Sequence, residues 1–408
     1  MIQNWYSIFT AVLVESFVVS LVLTACVRRL ALWLDIVDHP GDRKMHTKPV
    51  PLLGGVAMFL SFNLVIFINL GLLLRAPDLG FGWLEQNVLS FLGENTIRPL
   101  IGVFAGGLII FILGVVDDLV ALSPEVKLMG QIAAGFILVV SGVHGDLFVD
   151  NILLRFDWFV SLPESAQMWI SLSIAGGASI FWIVLMTNAM NLLDNMDGLC
   201  GGISGIAAMS FFLCVLPQHE YFVSVLLMVF IGSVAGFLYH NLNPARIFMG
   251  DAGAMFCGYI LATVALLGTF YTESTPTRIA VVAPLLALCV PLFDTASVIY
   301  IRWRRGESIM KGDKRHFSHR LVELGMTPRQ AVEFIFLVAG VTGLGGALLG
   351  QVGIMGTVVI IAQTAGIFLL IILLMRAGKT PERPRIEQAK EEPSSAALRG
   401  EVPQRPLH

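Results

Sequence analysis

Residues 98–119 read RPLIGVFAGGLIIFILGVVDDL, and this stretch decides the fold. Between Arg98 and a closing pair of aspartates it is an apolar run of about 20 residues, the length of a helix that crosses a bilayer core. The whole chain agrees, because 56% of its 408 residues are hydrophobic, 13% are charged and the mean hydropathy is +0.79. A soluble domain carries about 25% charged residues. The composition therefore excludes a soluble enzyme, a coiled coil, a disordered protein and a nucleic-acid binder with a basic face.

Runs of similar length predict eleven transmembrane helices, at 6–27, 52–74, 98–116, 128–147, 169–188, 199–216, 221–240, 252–271, 278–300, 331–350 and 355–375. An all-helix bundle satisfies its backbone hydrogen bonds in lipid, so we expect an all-α polytopic membrane protein. The membrane domain is predicted at residues 1–375. The tail at 376–408 is rich in Pro, Glu, Lys and Arg and is expected to be disordered. A small periplasmic β-hairpin is predicted within 146–160, around Asp150-Asn151.

The positions of Lys and Arg predict the orientation in the membrane. With the N-terminus outside, 22 of the 26 basic residues fall in the inside segments. The outside segments keep only Arg75, Arg98, Arg155 and Arg278. Basic residues concentrate on the cytoplasmic side of membrane proteins. The N-terminus is therefore predicted outside and the C-terminus in the cytoplasm.

The segment TNAMNLLDNMDGL at 187–199 concentrates polar residues directly after an apolar helix. Three asparagines on it are spaced three and four residues apart and would share one narrow face of a helix. They are Asn188, Asn191 and Asn195. Asp194 and Asp197 flank that face, and Gly198 allows the chain to turn. Polar groups at membrane depth are costly and tend to be functional, so this segment is the strongest candidate for a site.

Two further acidic motifs lie at predicted helix ends. GVVDDL at 114–119 contains adjacent Asp117 and Asp118, whose carboxylates repel each other unless a cation or a proton relieves them. A metal, another bound cation or a general base fits this pattern, and so does a solvated helix end. In NLNPARIFMGDAGAM at 241–255, Asp251 begins a predicted helix between small residues. It could cap the helix, or the small neighbours could let a ligand or metal approach the backbone.

The loop DHPGDRKMHTKPVPLLGG at 38–55 is basic and flexible. It combines cations, among them Lys48, with prolines and the pair Gly54-Gly55. Cationic side chains and a glycine backbone suit a phosphate ligand. An ordinary positive-inside loop closed by a turn has the same composition.

The loop 301–330 holds eight basic residues, including Arg315, and the histidine pair His316 and His319. These cations could hold topology or touch anionic lipid. The histidine pair, three residues apart in a basic segment, favours a phosphate or sugar contact over a metal site, because neighbouring cations disfavour metal binding. Asp294, near the inner end of the preceding helix, is a sixth candidate contributor.

The polar clusters come from distant parts of the chain but fall on one predicted side of the membrane. Their carboxylate and amide oxygens suit Mg²⁺, which usually binds one or two carboxylates plus substrate phosphate oxygens. The Lys, Arg and His side chains of the clusters suit phosphates. Together, these residue types predict transfer of a phosphate-containing group at the membrane surface. A secondary transporter is the main alternative from another class. It would need charges near the bilayer midplane and inverted repeats, and the sequence shows neither.

Six segments, taken in order, resemble the polyprenyl-phosphate N-acetylhexosamine-1-phosphate transferases, which form glycosyltransferase family 4. They are DRKMHTKPVPLLGG, GVVDDL, NAMNLLDNMDGL, ARIFMGDAGAM, PLFD and HFSHRLVELG, within residues 42–325. The chain is most similar to the branch that loads N-acetylglucosamine-1-phosphate onto undecaprenyl phosphate. The phospho-MurNAc-pentapeptide branch is the alternative within the family, but it has three successive histidines where this chain has HFSH.

The resemblance implies a reaction and its participants. A UDP-N-acetylhexosamine meets undecaprenyl phosphate in the inner leaflet, and a lipid phosphate oxygen attacks the sugar-linked phosphorus, giving polyprenyl-diphospho-sugar and UMP. The product starts a lipid-linked cell-surface polysaccharide. Mg²⁺, or Mn²⁺ in its place, is implied as cofactor. The implied location is the bacterial inner membrane, with membrane lipid as partner, the site on the cytoplasmic face and no nucleic acid; a homodimer stays open.

The resemblance also implies a role for each matching residue. Asp251 and Asn191 match the family's magnesium contacts. The acids implied to be catalytic are Asp117, Asp118, Asp194 and Asp197. The first two match the pair near the lipid phosphate, and the last two match acids near the uracil. The residues implied to bind substrate are Lys48, Gly54, Gly55, Asn188, Arg315, His316 and His319.

One position departs from the pattern of the most similar branch. The last segment of that branch usually reads His-x-His-His, and this chain has Ser318 at the third position. One imidazole contact is therefore missing. The sugar stays open among N-acetylglucosamine, N-acetylgalactosamine and modified bacillosamine- or fucosamine-type sugars.

Overall fold

The chain folds into a bundle of α-helices in the computed structural model, which describes residues 2–39, 49–75, 94–145, 153, 155–268, 270, 276, 278–307 and 315–377. The helices are α1 (Ile2–Trp33), α2 (Gly54–Leu74), α3 (Glu94–Val120), α4 (Pro124–Val140), α5 (Asp157–Val160), α6 (Glu164–Leu193), α7 (Leu199–Val215), α8 (Tyr221–Asn241), α9 (Gly250–Leu267), α10 (Ala283–Ala287), α11 (Cys289–Arg305), α12 (Phe317–Glu323), α13 (Pro328–Leu348) and α14 (Ile354–Ala377). Short 3₁₀ turns occupy Leu216–Gln218 and Arg278–Val282. One two-stranded antiparallel sheet in the described chain pairs β1 (Val37–Asp38) with β2 (Val50–Pro51).

The predicted all-α polytopic membrane fold is confirmed, with fewer spans than expected. Within the described residues, nine helices are long and apolar enough to cross a membrane, or up to ten if one bent pair counts as a span. Helix α4, in the segment predicted at 128–147, has 17 residues and is not among these spans, although its length is at the lower end of the range that crosses a bilayer. It ends early because Gly142, at φ +92°, turns the chain out of the helix.

The bent pair lies where one span was predicted at 278–300. The segments Ile279–Ala287 and Cys289–Arg305 meet at an angle of 72°. Pro291 has no N–H to donate to the carbonyl of Ala287, so the helical hydrogen-bond ladder is interrupted at this point. The break separates α10 from α11.

The predicted hairpin at 146–160 is wrong where the structure describes it. Residues 146–152 and 154 lie outside the described residues, and Asp157–Val160 form the short helix α5 instead of a strand. Leu153 and Phe159 are buried together with Ala175 of α6. Burial of these apolar side chains favours a helical turn over a strand at 157–160.

The expected tail and the segment between α2 and α3 can be followed only in part. Residues 378–408 and 76–93 lie outside the described residues, and so does Lys48 in the basic loop. The domain division predicted for the chain therefore stays a prediction. The structure does place Gly54 and Gly55, the glycine pair that ends the basic loop, at the start of α2.

Helix α9 lies at the centre of the bundle. It packs against α2, α3, α6 and α7, and 72% of its 18 residues are buried. Small residues let the neighbouring backbones approach its first turn. A Cβ atom on Gly55 would lie 2.1 Å from the Gly253 nitrogen, and one on Gly114 would lie 2.3 Å from the Ala252 Cα. The starts of α2 and α9 and the end of α3 therefore meet backbone to backbone.

This close approach predicts a difference between two glycines on α2. Gly55→Ala adds a methyl group where backbone atoms leave no space, so the helices must separate at a cost of about 1–3 kcal/mol. Gly71→Ala is the matched control, because no atom lies within 4 Å of a Cβ at that position. Thermal unfolding in detergent should show a lower midpoint for Gly55→Ala and an unchanged or raised midpoint for Gly71→Ala. Equal midpoints in the two variants would contradict the packing described.

Candidate active site

The end of α3 caps the start of α9. The Asp118 carboxylate accepts the backbone N–H groups of Asp251 at 2.7 Å and of Ala252 at 3.2 Å. The first N–H groups of a helix have no partner within the helix, so a carboxylate at this position satisfies two of them and complements the helix dipole. Gly250, at φ +71°, admits the contact because a Cβ there would lie 2.6 Å from an Asp118 oxygen. The structure thus gives Asp118 a capping role.

Lys127 lies between two carboxylates next to this cap. Its Nζ contacts the Asp117 carboxylate and lies 3.1 Å from Asp251 Oδ2. Asp117 is buried and also accepts the Leu122 N–H at 2.7 Å. The carboxylates of Asp117 and Asp251 are within hydrogen-bond reach of each other. Two carboxylates this close need a cation, and Lys127 supplies one.

Asn191 is the asparagine of α6 that reaches this group. Its side chain is within hydrogen-bond reach of the Asp251 carboxylate. Asn188 is directed to α4 instead: its Nδ2 donates to Gln131 Oε1 at 2.7 Å, and Gln131 donates back at 3.4 Å. The amide pair joins α6 to α4 one turn before the site. We call Asp117, Asp118, Lys127, Asn191 and Asp251 the acid cluster.

Asp197 holds the loop that leads into α9. Its Oδ2 accepts the Asn243 side-chain amide at 2.9 Å and the Ala245 N–H at 3.0 Å. The Asn241 amide oxygen accepts the Gly198 N–H at 3.0 Å in the same region. The loop before α9 is thereby tied to the turn after α6, and the position of Asp251 depends on both.

Asp194 lies between the acid cluster and Asp197. It follows the last residue of α6 and is half-buried. Burial, together with the charges of Asp251, Asp118 and Asp197, raises the pKa of Asp194 to about 8. At neutral pH this carboxyl therefore holds a proton unless a cation approaches it.

The histidines are held by a buried acid of α11. Asp294 Oδ2 lies 2.9 Å from His316 Nδ1, and Asp294 Oδ1 accepts the Phe317 N–H at 2.6 Å. Both Asp294 and His316 are buried. The acid thus fixes the His316 ring and caps α12. The half-buried His319 follows one turn later, with ring centroids 6.5 Å from those of His316.

Two other residues around the histidines have partners away from the acid cluster. Arg315 pairs with the Glu307 carboxylate that follows α11. Ser318 is buried and donates to Asn195 Oδ1 at 2.5 Å. We call residues 315–319 the histidine segment. The Ser318 contact links it to the turn after α6, and hence to the acid cluster.

The glycine pair has its backbone engaged within the protein. Gly54 N–H donates to the Phe248 carbonyl at 2.9 Å, and Gly55 N–H donates to the Met249 carbonyl at 2.8 Å. These hydrogen bonds and the lack of space for a side chain show that packing within the protein is enough to require glycine at both positions. Contact of Gly54 and Gly55 with a substrate stays a prediction.

The predicted clusters are thus joined at one end of the bundle. Asp117, Asp118, Asn191 and Asp251 come together directly, whereas Asp197, His316 and His319 are tied to them through hydrogen-bonded neighbours. Sequence reasoning missed Lys127, Gln131 and Asn243. A signal for Lys127 existed, since Ser123-Pro124 marks a helix start and places the lysine in the first turn after the acidic pair.

A metal ion at this position would need ligands beyond the protein carboxylates. Among the described residues, no three or more His, Cys, Asp or Glu side chains are arranged to hold a metal. Asp251 keeps 34% of its side chain exposed and adjoins the amide of Asn191. A partly exposed carboxylate beside a carboxamide fits a hard cation whose remaining ligands come from water or a phosphate.

Comparisons with known proteins identify the family. Residues 100–269 match the model of glycosyl transferase family 4 and include the whole acid cluster. The chain is 32% identical over 330 residues to a probable undecaprenyl-phosphate N-acetylglucosaminyl 1-phosphate transferase of Bacillus subtilis, covering 80% of this chain and 82% of the relative. It is 31% identical over 377 residues to a decaprenyl-phosphate N-acetylglucosaminephosphotransferase of Mycolicibacterium smegmatis, covering 87% and 86%. It is 24% identical over 351 residues to an undecaprenyl-phosphate alpha-N-acetylglucosaminyl 1-phosphate transferase of Yersinia pestis, covering 84% and 83%.

The raised pKa of Asp194 predicts a pH-dependent stability. Between about pH 4 and pH 8 the folded protein holds a proton that the unfolded chain has released, so wild-type stability falls as the pH rises through this window. Asp194→Asn removes this loss. In metal-free detergent buffer, the variant's unfolding midpoint should exceed that of the wild type by a margin that grows from pH 5 to pH 8. The exposed Asp157→Asn is the control, and a pH-independent margin for Asp194→Asn would refute the assignment.

Proposed function

The chain belongs to glycosyl transferase family 4, and on this basis we propose that it transfers N-acetylglucosamine 1-phosphate from UDP-N-acetylglucosamine to undecaprenyl phosphate. UMP is released, and the product starts a lipid-linked glycan. The observation that carries the proposal is the meeting of Asp117, Lys127, Asn191 and Asp251 at the ends of four helices. Such a cluster suits two phosphate-bearing substrates, because it offers both a cation and oxygen donors for a metal.

The reaction forms one phosphorus–oxygen bond and breaks another. An oxygen of the lipid phosphate attacks the sugar-linked phosphorus, and the bond from that phosphorus to the bridging oxygen breaks, leaving UMP with the electron pair. A phosphate monoester is already ionised at neutral pH, so positioning and charge stabilisation matter more than a base. We place Asp117 and Lys127 beside the lipid phosphate, with Asp194 and Asp197 nearer to the nucleotide. Asp118 acts through the backbone of α9 as a positioning residue.

The donor set fits a magnesium ion. Asp251 and Asn191 would supply two oxygen ligands, and diphosphate oxygens would supply others. When bound, Mg²⁺ neutralises charge on the diphosphate. Asp194 adjoins the same position, and its raised pKa leaves it free of charge until a cation is near. Mn²⁺ could take the same ligands.

The histidine segment completes the proposed substrate site. His316, His319 and Arg315 are cationic or neutral donors that suit the sugar nucleotide. Lys48 and the glycine pair are proposed to approach the diphosphate. The buried Asp294 holds the Nδ1 of His316 at 2.9 Å, so the other ring nitrogen is oriented away from it. This orientation supports a contact with an anionic ligand.

The site is proposed to face the cytoplasm. UDP-sugars are cytoplasmic, and the distribution of basic residues places the loops around the acid cluster on that side, with the N-terminus outside and the C-terminus inside. In this arrangement undecaprenyl phosphate would reach the acid cluster from the inner leaflet of a bacterial membrane. A homodimer is compatible with the reaction, which needs only one copy of the site.

The first test of this function is release of UMP by the purified protein. Wild-type enzyme in detergent with Mg²⁺ and undecaprenyl phosphate should release UMP from UDP-N-acetylglucosamine, and faster than from UDP-N-acetylgalactosamine. UDP-MurNAc-pentapeptide should give no product, which separates this activity from the other branch of the family. Omitting the lipid is the control. No UMP from any of these nucleotides would count against an enzyme and leave transport as the alternative.

A second prediction concerns the proposed metal contacts. Asp251→Asn and Asn191→Ala should each lower turnover at least about 100-fold, the scale for loss of one preorganised electrostatic contact. Mg²⁺ should raise the unfolding midpoint of the wild type but not of these variants, because a ligand stabilises only the state that binds it. Glu164→Gln is the control, at the far end of α6 and about 40 Å along the helix from Asn191. Normal Mg²⁺-dependent turnover in both variants would refute the assignment.

A further inference from the structure

A buried hydrogen bond joins the histidine segment to the end of α6. Ser318, in the first turn of α12, is 1% exposed, and its hydroxyl donates to Asn195 Oδ1 at 2.5 Å. The two residues are 123 positions apart in the sequence. A buried polar group that loses its partner costs about 1–3 kcal/mol, so this contact is strongly favoured over a rearranged one.

The acceptor in this contact has a fixed direction. The Asn195 side-chain nitrogen donates to the Leu192 carbonyl at 2.8 Å, and its backbone N–H donates to the Leu193 carbonyl at 2.8 Å. Both bonds close the last turn of α6, the turn that carries Asn191. The Asn195 oxygen therefore moves only if the end of α6 moves with it.

The donor side is fixed independently by α11. Asp294 caps α12 and holds His316, and Phe317 is fully buried beside Phe293 and Phe334. These contacts attach the histidine segment to the bundle. Helix α11 also packs against α6, and the Ser318 contact adds a directed polar link between the histidine segment and the end of α6.

We infer that the Ser318–Asn195 hydrogen bond is the positioning contact that sets the distance between the histidine segment and the acid cluster. This inference rests on the proposed function, in which one sugar nucleotide must touch both groups. A displacement of about 1 Å at such a site can cost up to a hundredfold in rate or affinity. Ser318 thereby controls the affinity for the sugar nucleotide without touching it.

The chemistry of position 318 explains why this role differs from that of its neighbours. The hydroxyl of Ser318 is on a short side chain that is nearly inaccessible to solvent, and its proton is used by Asn195. It has no further donor to offer a ligand. His319 is half-buried, and His316 directs one ring nitrogen away from Asp294, so the two imidazoles differ from Ser318 in the groups that they present.

The test measures each substrate separately in variants of the pair. Ser318→Ala should raise the KM for UDP-N-acetylglucosamine about 5–10-fold, the equivalent of one hydrogen bond, with the KM for undecaprenyl phosphate within twofold of wild type. Ser318→Thr keeps the hydroxyl and should restore the wild-type KM. Asn195→Ala should resemble Ser318→Ala, and the double variant should be no worse than Asn195→Ala, since both changes remove the same contact. His319→Ala is the reference variant, because its increase in the KM for UDP-N-acetylglucosamine measures the loss of a proposed direct contact.

Controls separate a positioning role from a merely structural one. Ser204→Ala removes a hydroxyl that is equally buried but bonds within its own helix, at 2.8 Å to the Cys200 carbonyl, and should leave both KM values unchanged. If Ser318→Ala does not fold, Ser318→Cys, which keeps a weak donor of similar size, should give a smaller shift in the same direction.

Three outcomes would overturn the inference. They are an unchanged KM for UDP-N-acetylglucosamine, whether or not the unfolding midpoint falls, equal increases of both KM values, and additive effects in the double variant. Failure of the proposed function has a different signature, because the wild type itself would then release no UMP.

Discussion

The hydrogen bonds from the start of α9 to the Asp118 carboxylate constrain the rest of the site. Where a helix begins inside a protein, its first N–H groups lack both intrahelical partners and water, and each unsatisfied group costs about 1–3 kcal/mol. Asp118 accepts two of them, at 2.7 Å and 3.2 Å, so α9 must begin where α3 ends. Asp251 follows Gly250 in the first turn of α9. The cap holds this turn against the end of α3, and Asp251 therefore lies beside Asp117. Lys127 is needed because these two carboxylates would otherwise repel each other.

The balance of charge in the acid cluster favours a second cation. Lys127 contacts both Asp117 and Asp251, whereas the charge interactions described for Asp194 are all with other carboxylates. Burial, together with the charges of Asp251, Asp118 and Asp197, keeps a proton on its carboxyl up to about pH 8. A site that retains a displaceable proton next to solvent-facing oxygens is suited to a divalent ion that arrives together with an anionic substrate.

Much of the fold and part of the site followed from the sequence, and the physical reason differs from case to case. Apolar runs predicted the helices because their length is set by the bilayer, whereas α4 fell short since Gly142 ends it early. The acids and Asn191 were expected because polar groups are rare at membrane depth. The capping role of Asp118 could not be read from local patterns, because its partner is 133 residues away. The sequence spacing places Asn188 on the same helix face as Asn191. In the structure, however, the Asn188 side-chain amide donates a hydrogen bond to Gln131, and this contact depends on tertiary packing.

The glycines and the acids of the site form one physical unit. Asp has the shortest acidic side chain, so Asp118 can reach N–H groups of α9 only if the two backbones almost touch. Gly114 permits this because a Cβ there would lie 2.3 Å from the Ala252 Cα, and Gly55 permits it on the other side of the same turn. A larger residue at either position would separate the helices and leave the cap without its donors, even with every acid in place. The motifs GG, GVVDD and GDAG are therefore best understood together: each glycine allows the approach that an aspartate then stabilises.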